Sequence, residues 1–132
     1  MRVMLAAWLV AQALLLASPA TCLTPKELSA CRAAAERGNA SAQTTLGMCY
    51  HIGDCGVKRD YGLALAWYGR AAAQGHPVAQ YGLGLMYMNG RGMAPDPVRA
   101  AFWFRKAAAQ GLSLAQDELE TMNRRRGMRP PD

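Results

Sequence analysis

The chain has 132 residues, four cysteines and a formal charge of +6, a length that suits one domain. The charge is concentrated at the end: Arg124, Arg125, Arg126 and Arg129 supply four positive charges, while residues 21–123 hold ten Lys or Arg against eight Asp or Glu. The body is close to neutral, which argues against nucleic acid as a partner.

In chain order, residues 1–20 read as a secretory signal peptide. Arg2 supplies the positive start, Val3 to Ala17 is uncharged and mostly apolar, and Ser18-Pro19-Ala20 offers small residues for cleavage after Ala20. A membrane anchor is the competing reading, but a spanning helix needs about 20 apolar residues, more than this run holds. A lipoprotein reading through Cys22 is weaker, because Pro19 and Thr21 suit a lipid-attachment signal poorly. Cleavage would leave a periplasmic or secreted chain with no stable membrane insertion. All four cysteines, Cys22, Cys31, Cys49 and Cys55, lie beyond the cleavage point. In an oxidising compartment they can persist as disulfides.

Thr24-Pro25-Lys26-Glu27 is a capping box with proline at the first helical position, and it opens a helix running to about Arg37. Two similar stretches follow, from Gly38 and from Gly75, and a third copy begins at Gly111 and stops halfway. Ala42-Gln43, Ala79-Gln80 and Ala115-Gln116 recur at spacings of 37 and 36, as do Leu46, Leu83 and Leu119. Self-similarity at this period means a solenoid of helical hairpins. In the first helix of a unit, Leu46, Cys49 and Tyr50 keep the spacing of one apolar face. Gly47 and Gly84 add no side chain there, so a neighbouring helix can come close. Asp60 and Asp96 are expected N-caps of the second helices. Those helices carry Ala64, Trp67, Tyr68, Ala71 and Ala72, matched by Ala100, Trp103, Phe104, Ala107 and Ala108. The tryptophans are expected to fill the core, and Gly75 and Gly111 to end the helices.

The expected organisation is a half repeat over residues 25–37, repeats over 38–74 and 75–110, a half repeat over 111–123, and a basic disordered tail over 124–132. The fold class is all-α: about six helices in three antiparallel pairs, a short α-solenoid.

The order A-Q-x-x-L-G-x-x-Y-x-x-G-x-G, then Asp, then A-x-x-W-[YF]-x-x-A-A-x-x-G resembles the Sel-one-like repeat, a relative of the tetratricopeptide repeat. The likeness covers about residues 25–122. It implies a right-handed superhelix that serves as an adaptor for other proteins, with no reaction and no cofactor. One cysteine-rich branch of that family is linked to β-lactam binding and hydrolysis. That makes a cell-wall-active enzyme the alternative function. This chain departs from that branch, since its cysteines do not recur once per repeat. It also has no Ser-x-x-Lys to supply a serine nucleophile with its lysine.

The segment Cys49-Tyr50-His51-Ile52-Gly53-Asp54-Cys55 concentrates thiols with a histidine and a carboxylate. A zinc site would need four ligands at tighter spacing, and there is no C-x-x-C redox motif, so structural disulfides are expected. In a hairpin whose turn centres near residue 38.5, partners equidistant from the turn pair Cys22 with Cys55 and Cys31 with Cys49. The alternative is local, Cys49–Cys55 with Cys22–Cys31.

The first helices also carry a second stripe, Thr44, Met48 and His51 in one repeat and Tyr81, Leu85 and Met88 in the next. In tetratricopeptide-like solenoids this face lines the concave groove, and the resemblance implies that these residues, with Asp117 and Thr121 of the third copy, contact a protein or peptide segment. The competing reading packs the stripe on the adjacent repeat or the tail. A monomer is expected, with no catalytic or metal-binding residue assigned.

Overall fold

A computed structural model describes residues 23–127. The expected signal segment, Cys22 and the last five residues therefore lie outside the described part. The described residues form six helices: α1 (Pro25–Glu36), α2 (Ala40–Ile52), α3 (Tyr61–Ala73), α4 (Pro77–Asn89), α5 (Pro97–Ala109) and α6 (Ser113–Gly127). Each packs on its neighbours in the chain, and α2 also touches α4. This is the all-α solenoid expected from the repeats.

The ends of the helices follow from local chemistry. Glu27 N–H donates to Thr24 Oγ1 at 3.2 Å and Thr24 N–H to the Glu27 carboxylate at 2.7 Å, completing the capping box of α1. Asn39, Asp60 and Asp96 accept from backbone N–H groups in the first turns of α2, α3 and α5. Gly53 and Gly90 end α2 and α4 at φ 78° and 65°, the left-handed region glycine enters without steric cost. Helix α6 continues through Arg124–Arg126 to Gly127, past residue 123 where the half repeat was expected to end. Arg124 pairs with Glu120 one turn back at 2.7 Å, and cations in a last turn favour the helix dipole.

The recurring Ala-Gln pairs act as a ladder between repeats. Gln43 Nε2 donates to the Ala35 carbonyl at 3.0 Å, and its Oε1 accepts from Gln74 Nε2 at 2.9 Å. One repeat later, Gln80 donates to Ala72 at 3.4 Å and accepts from Gln110 at 2.9 Å. Gln43 and Gln80 are buried, and an unpaired buried amide would cost about 1–3 kcal/mol, so the pairing ties repeat register to stability.

The tryptophans do not fill the core as expected. Tyr68 and Phe104, 3% and 0% exposed, are the buried aromatics of α3 and α5. Trp67 and Trp103 are half-buried beside them, with Arg70 over the Trp67 ring at 4.9 Å. Adjacent positions on a helix point about 100° apart, and the rings that turn inward are those facing a glycine. A β-carbon on Gly47 would meet Tyr68 Cδ1 at 2.6 Å, and one on Gly84 would meet Phe104 Cε1 at 2.4 Å. Gly82 of the next repeat does the same at the other end of the Tyr68 ring, 2.9 Å from Cζ.

The disulfide pairing is also corrected. Cys49 is bonded to Cys55, with Cα atoms 5.6 Å apart, which rules out both nested pairs, Cys22–Cys55 and Cys31–Cys49. The left-handed cap at Gly53 turns the chain back on the end of α2 and brings Cys55 over Cys49. Across the first hairpin, Cys31 Sγ lies 3.5 Å from the Ala42 carbonyl, about two turns before Cys49. Among the described residues Cys31 has no disulfide partner.

Candidate functional site

The first helices of the units, α2, α4 and α6, share one side of the solenoid. A cavity of about 530 Å³ lies there. Met48, His51 and Ile52 enter it from α2. Val78, Tyr81, Gly82 and Leu85 enter from α4, and Leu114 from α6. Ile52 is 64% exposed and Leu114 54%, so its walls hold large apolar side chains in water. The tip of the buried Tyr68 ring reaches the cavity beside Gly82. Its burial pushes the hydroxyl pKa up to about 12, leaving a neutral phenol at the floor.

One end of the cavity is cationic. Arg59, from the turn before α3, and Arg91, from the turn after α4, both line it. Arg91 Nη1 stands 2.8 Å from His51 Nε2. A guanidinium can only donate, so the His51 nitrogen accepts and the ring is neutral. Burial first, then the charges of Arg91 and Arg59, hold its pKa below the ordinary value. The imidazole stands edge-on to Tyr61 and Tyr68, with ring centroids 5.9 and 6.1 Å apart. Both guanidinium carbons lie 5.7 Å from the Tyr61 ring centroid, and Arg59 donates to the Tyr61 hydroxyl at 3.4 Å. Toward the other end, burial and then Glu118 and Asp117 raise the pKa of Tyr81, so carboxylates stand near that side of the groove.

Four of the sequence-predicted contact residues, Met48, His51, Tyr81 and Leu85, come together in this cavity. Tyr81 and Leu85 also pack against the α5–α6 cluster, with the Tyr81 and Phe104 ring centroids 5.7 Å apart. The stripe thus serves the adjacent repeat and the groove at once. Thr44 is buried, and its hydroxyl donates to the Ala40 carbonyl at 2.8 Å. Met88 faces a second cavity of about 490 Å³, lined also by Val98, Met122 and Arg125. Asp117 is exposed and Thr121 half-buried on α6, and neither lines the first cavity.

Sequence reasoning passed over Ile52, Val78, Leu114, Arg59 and Arg91. A signal for two of them existed: Val78 and Leu114 occupy the same repeat position, one turn ahead of Tyr81 and of Asp117. The arginines sit in turns, which helical periodicity does not reach. No group of three or more His, Cys, Asp or Glu among the described residues could hold a metal ion. No described helix is long and apolar enough to cross a membrane.

Comparison with known proteins adds to this geometry. Residues 40–76 and 77–112 each match the Sel1 repeat. The solenoid is similar to the crystal structure of a Sel1 repeat protein from Oxalobacter formigenes, with 48% identity, a TM-score of 0.66, and coverage of 69% of this chain and 68% of that one. It is also similar to c5321, a protective antigen of uropathogenic Escherichia coli strains displaying the same kind of fold. That likeness has 43% identity and a TM-score of 0.68, over 72% of this chain and 20% of that one. Among curated proteins, 58 residues are 38% identical to the ERAD-associated E3 ubiquitin-protein ligase component HRD3A of Arabidopsis thaliana. That stretch is 44% of this chain but spans only 9% of the relative.

Proposed function

This chain belongs to the Sel1 repeat family, and on that premise we propose that it is a non-catalytic adaptor holding a segment of another protein in the groove between α2, α4 and α6. One observation carries the reading: exposed apolar side chains from three successive first helices converge on one cavity. Apolar patches kept in water usually mark contacts, and Met48 and Tyr81 are residue types suited to irregular protein surfaces. The HRD3A relative is named as a component of a larger ligase; being a component among others is the role proposed here, without the ligase. The test is co-purification with a tagged chain. Met48→Ser and Leu114→Lys should each reduce recovery of the bound partner while leaving the melting temperature unchanged. Recovery that both variants leave intact would reject the groove.

We further infer that the protein is exported to the periplasm or the medium. Support comes from the order of Arg2, apolar run and Ser-Pro-Ala and from a disulfide at Cys49–Cys55, a bond that persists in oxidising compartments. N-terminal sequencing of the exported protein should begin at Thr21. A start at Met1 would contradict export with cleavage.

A further inference from the structure

We propose that the segment held in this groove carries a carboxylate, an Asp or Glu side chain flanked by large apolar residues, and that Arg59 and Arg91 receive it. The inference rests on the groove reading above and names the partner chemistry of that same site.

Both arginines line the cavity and both are exposed. Each makes contacts to neutral groups. Arg91 donates one N–H to the His51 lone pair and lies against the Tyr61 ring. Arg59 donates one N–H to the Tyr61 hydroxyl and lies against the same ring. These contacts orient the two side chains without neutralising them. A guanidinium has five N–H donors in a fixed fork, so each arginine keeps donors free for a carboxylate, whose geometry that fork matches. The ion pairs Arg99–Asp96 and Arg124–Glu120 lie elsewhere, at the start of α5 and within α6.

The rest of the groove sets the context of that carboxylate. Ile52 and Met48 adjoin the cationic end, and Tyr81, Leu85 and Leu114 continue the apolar wall. An acidic residue next to leucine-, phenylalanine- or methionine-like side chains would match both parts at once. Asp117 and Glu118, which act on Tyr81, disfavour a second acidic residue at the far end. Complementary charge therefore sets which end of the groove the acidic residue occupies. Because the arginines are exposed, their attraction is screened by salt.

The test selects ligands for the disulfide-bonded chain from a phage-displayed random dodecapeptide library. Fluorescence anisotropy then follows one selected, labelled peptide and its Glu→Gln or Asp→Asn version. The selected peptides should share an acidic residue beside apolar ones. Neutralising that residue, or introducing Arg59→Gln with Arg91→Gln, should each weaken binding about tenfold, as expected for a charge-assisted pair. The two changes together should cost little more than either alone. Circular dichroism should confirm that the arginine variant is folded. Peptides without acidic residues, bound equally by the Arg59→Gln/Arg91→Gln protein yet lost with Met48→Ser/Ile52→Ser, would overturn the carboxylate while leaving the groove standing. Binding that both double variants leave intact would reject the groove itself. Concentration-dependent dimers in sedimentation that the arginine variant keeps would mean that the groove takes a second copy, which also overturns the proposal.

Discussion

Tyr68 and Gly82 meet across the boundary between two repeats: a β-carbon added to Gly82 would stand 2.9 Å from Tyr68 Cζ. The ring also passes Gly47 of its own repeat, so one side chain sets the spacing of three helices. Gly82→Ala should therefore push the ring from its slot and destabilise the fold by about 1–3 kcal/mol, the usual cost of overpacking a filled core. Gly84→Ala, against Phe104, should behave alike. Urea unfolding checks both, and an unchanged midpoint would show that the helices have room to spare.

Tyr68→Ala and Trp67→Ala separate the true core aromatic from its neighbour. Emptying the Tyr68 site should cost about 3–5 kcal/mol, as for other buried aromatics. Trp67 is half-buried under Arg70, and its loss should cost clearly less. Equal losses in urea would contradict the assignment of Tyr68 as the inward ring.

Non-reducing peptide mapping should yield a fragment joining Cys49 to Cys55. Reduction should speed amide exchange in the turn at residues 53–60 more than in α5, which has no cysteine. A fragment joining Cys31 to Cys49 would restore the nested pairing and refute the local bond.

Much of the architecture could be read from the repeats. The glycines at 47 and 84 and the aspartate caps do in three dimensions what was expected of them, while the Ala-Gln pairs gave the period without revealing the amide ladder that Gln43 and Gln80 build. What periodicity could not decide was which of two adjacent aromatic residues turns inward. At Trp67 and Tyr68 the answer depends on two glycines of different helices, Gly47 in the same repeat and Gly82 in the next. Hairpin arithmetic failed for the cysteines because a left-handed cap at Gly53 brings Cys55 back on α2, and because Cys31 faces Ala42. The groove was legible only where its walls are helical. Met48, Tyr81 and Leu85 follow a helical stripe, while Arg59 and Arg91 sit in turns.

Acid should weaken the fold through His51. Its folded pKa lies below the ordinary 6.5, through burial, Arg91 and Arg59, and the groups around the ring are those two arginines with Tyr61 and Tyr68. The unfolded chain thus binds more protons than the folded one as pH falls. The stability linked to His51 is present above about pH 6.5 and is lost as pH drops toward the folded pKa. His51→Gln should remove that part of the decline. Parallel stability curves for wild type and variant between neutral and mildly acidic pH would contradict it.

The central claim, that the groove is the working surface, is tested most directly by photo-crosslinking in the producing cell. A photoreactive side chain replaces either Ile52, which lines the groove and is 64% exposed, or Phe102, which lies outside it on α5 and is 48% exposed. The account predicts one discrete protein adduct from position 52, absent from position 102, and lost when Met48→Ser and Leu114→Lys are added. The same adduct from position 102, or one from position 52 that survives both groove changes, would contradict it.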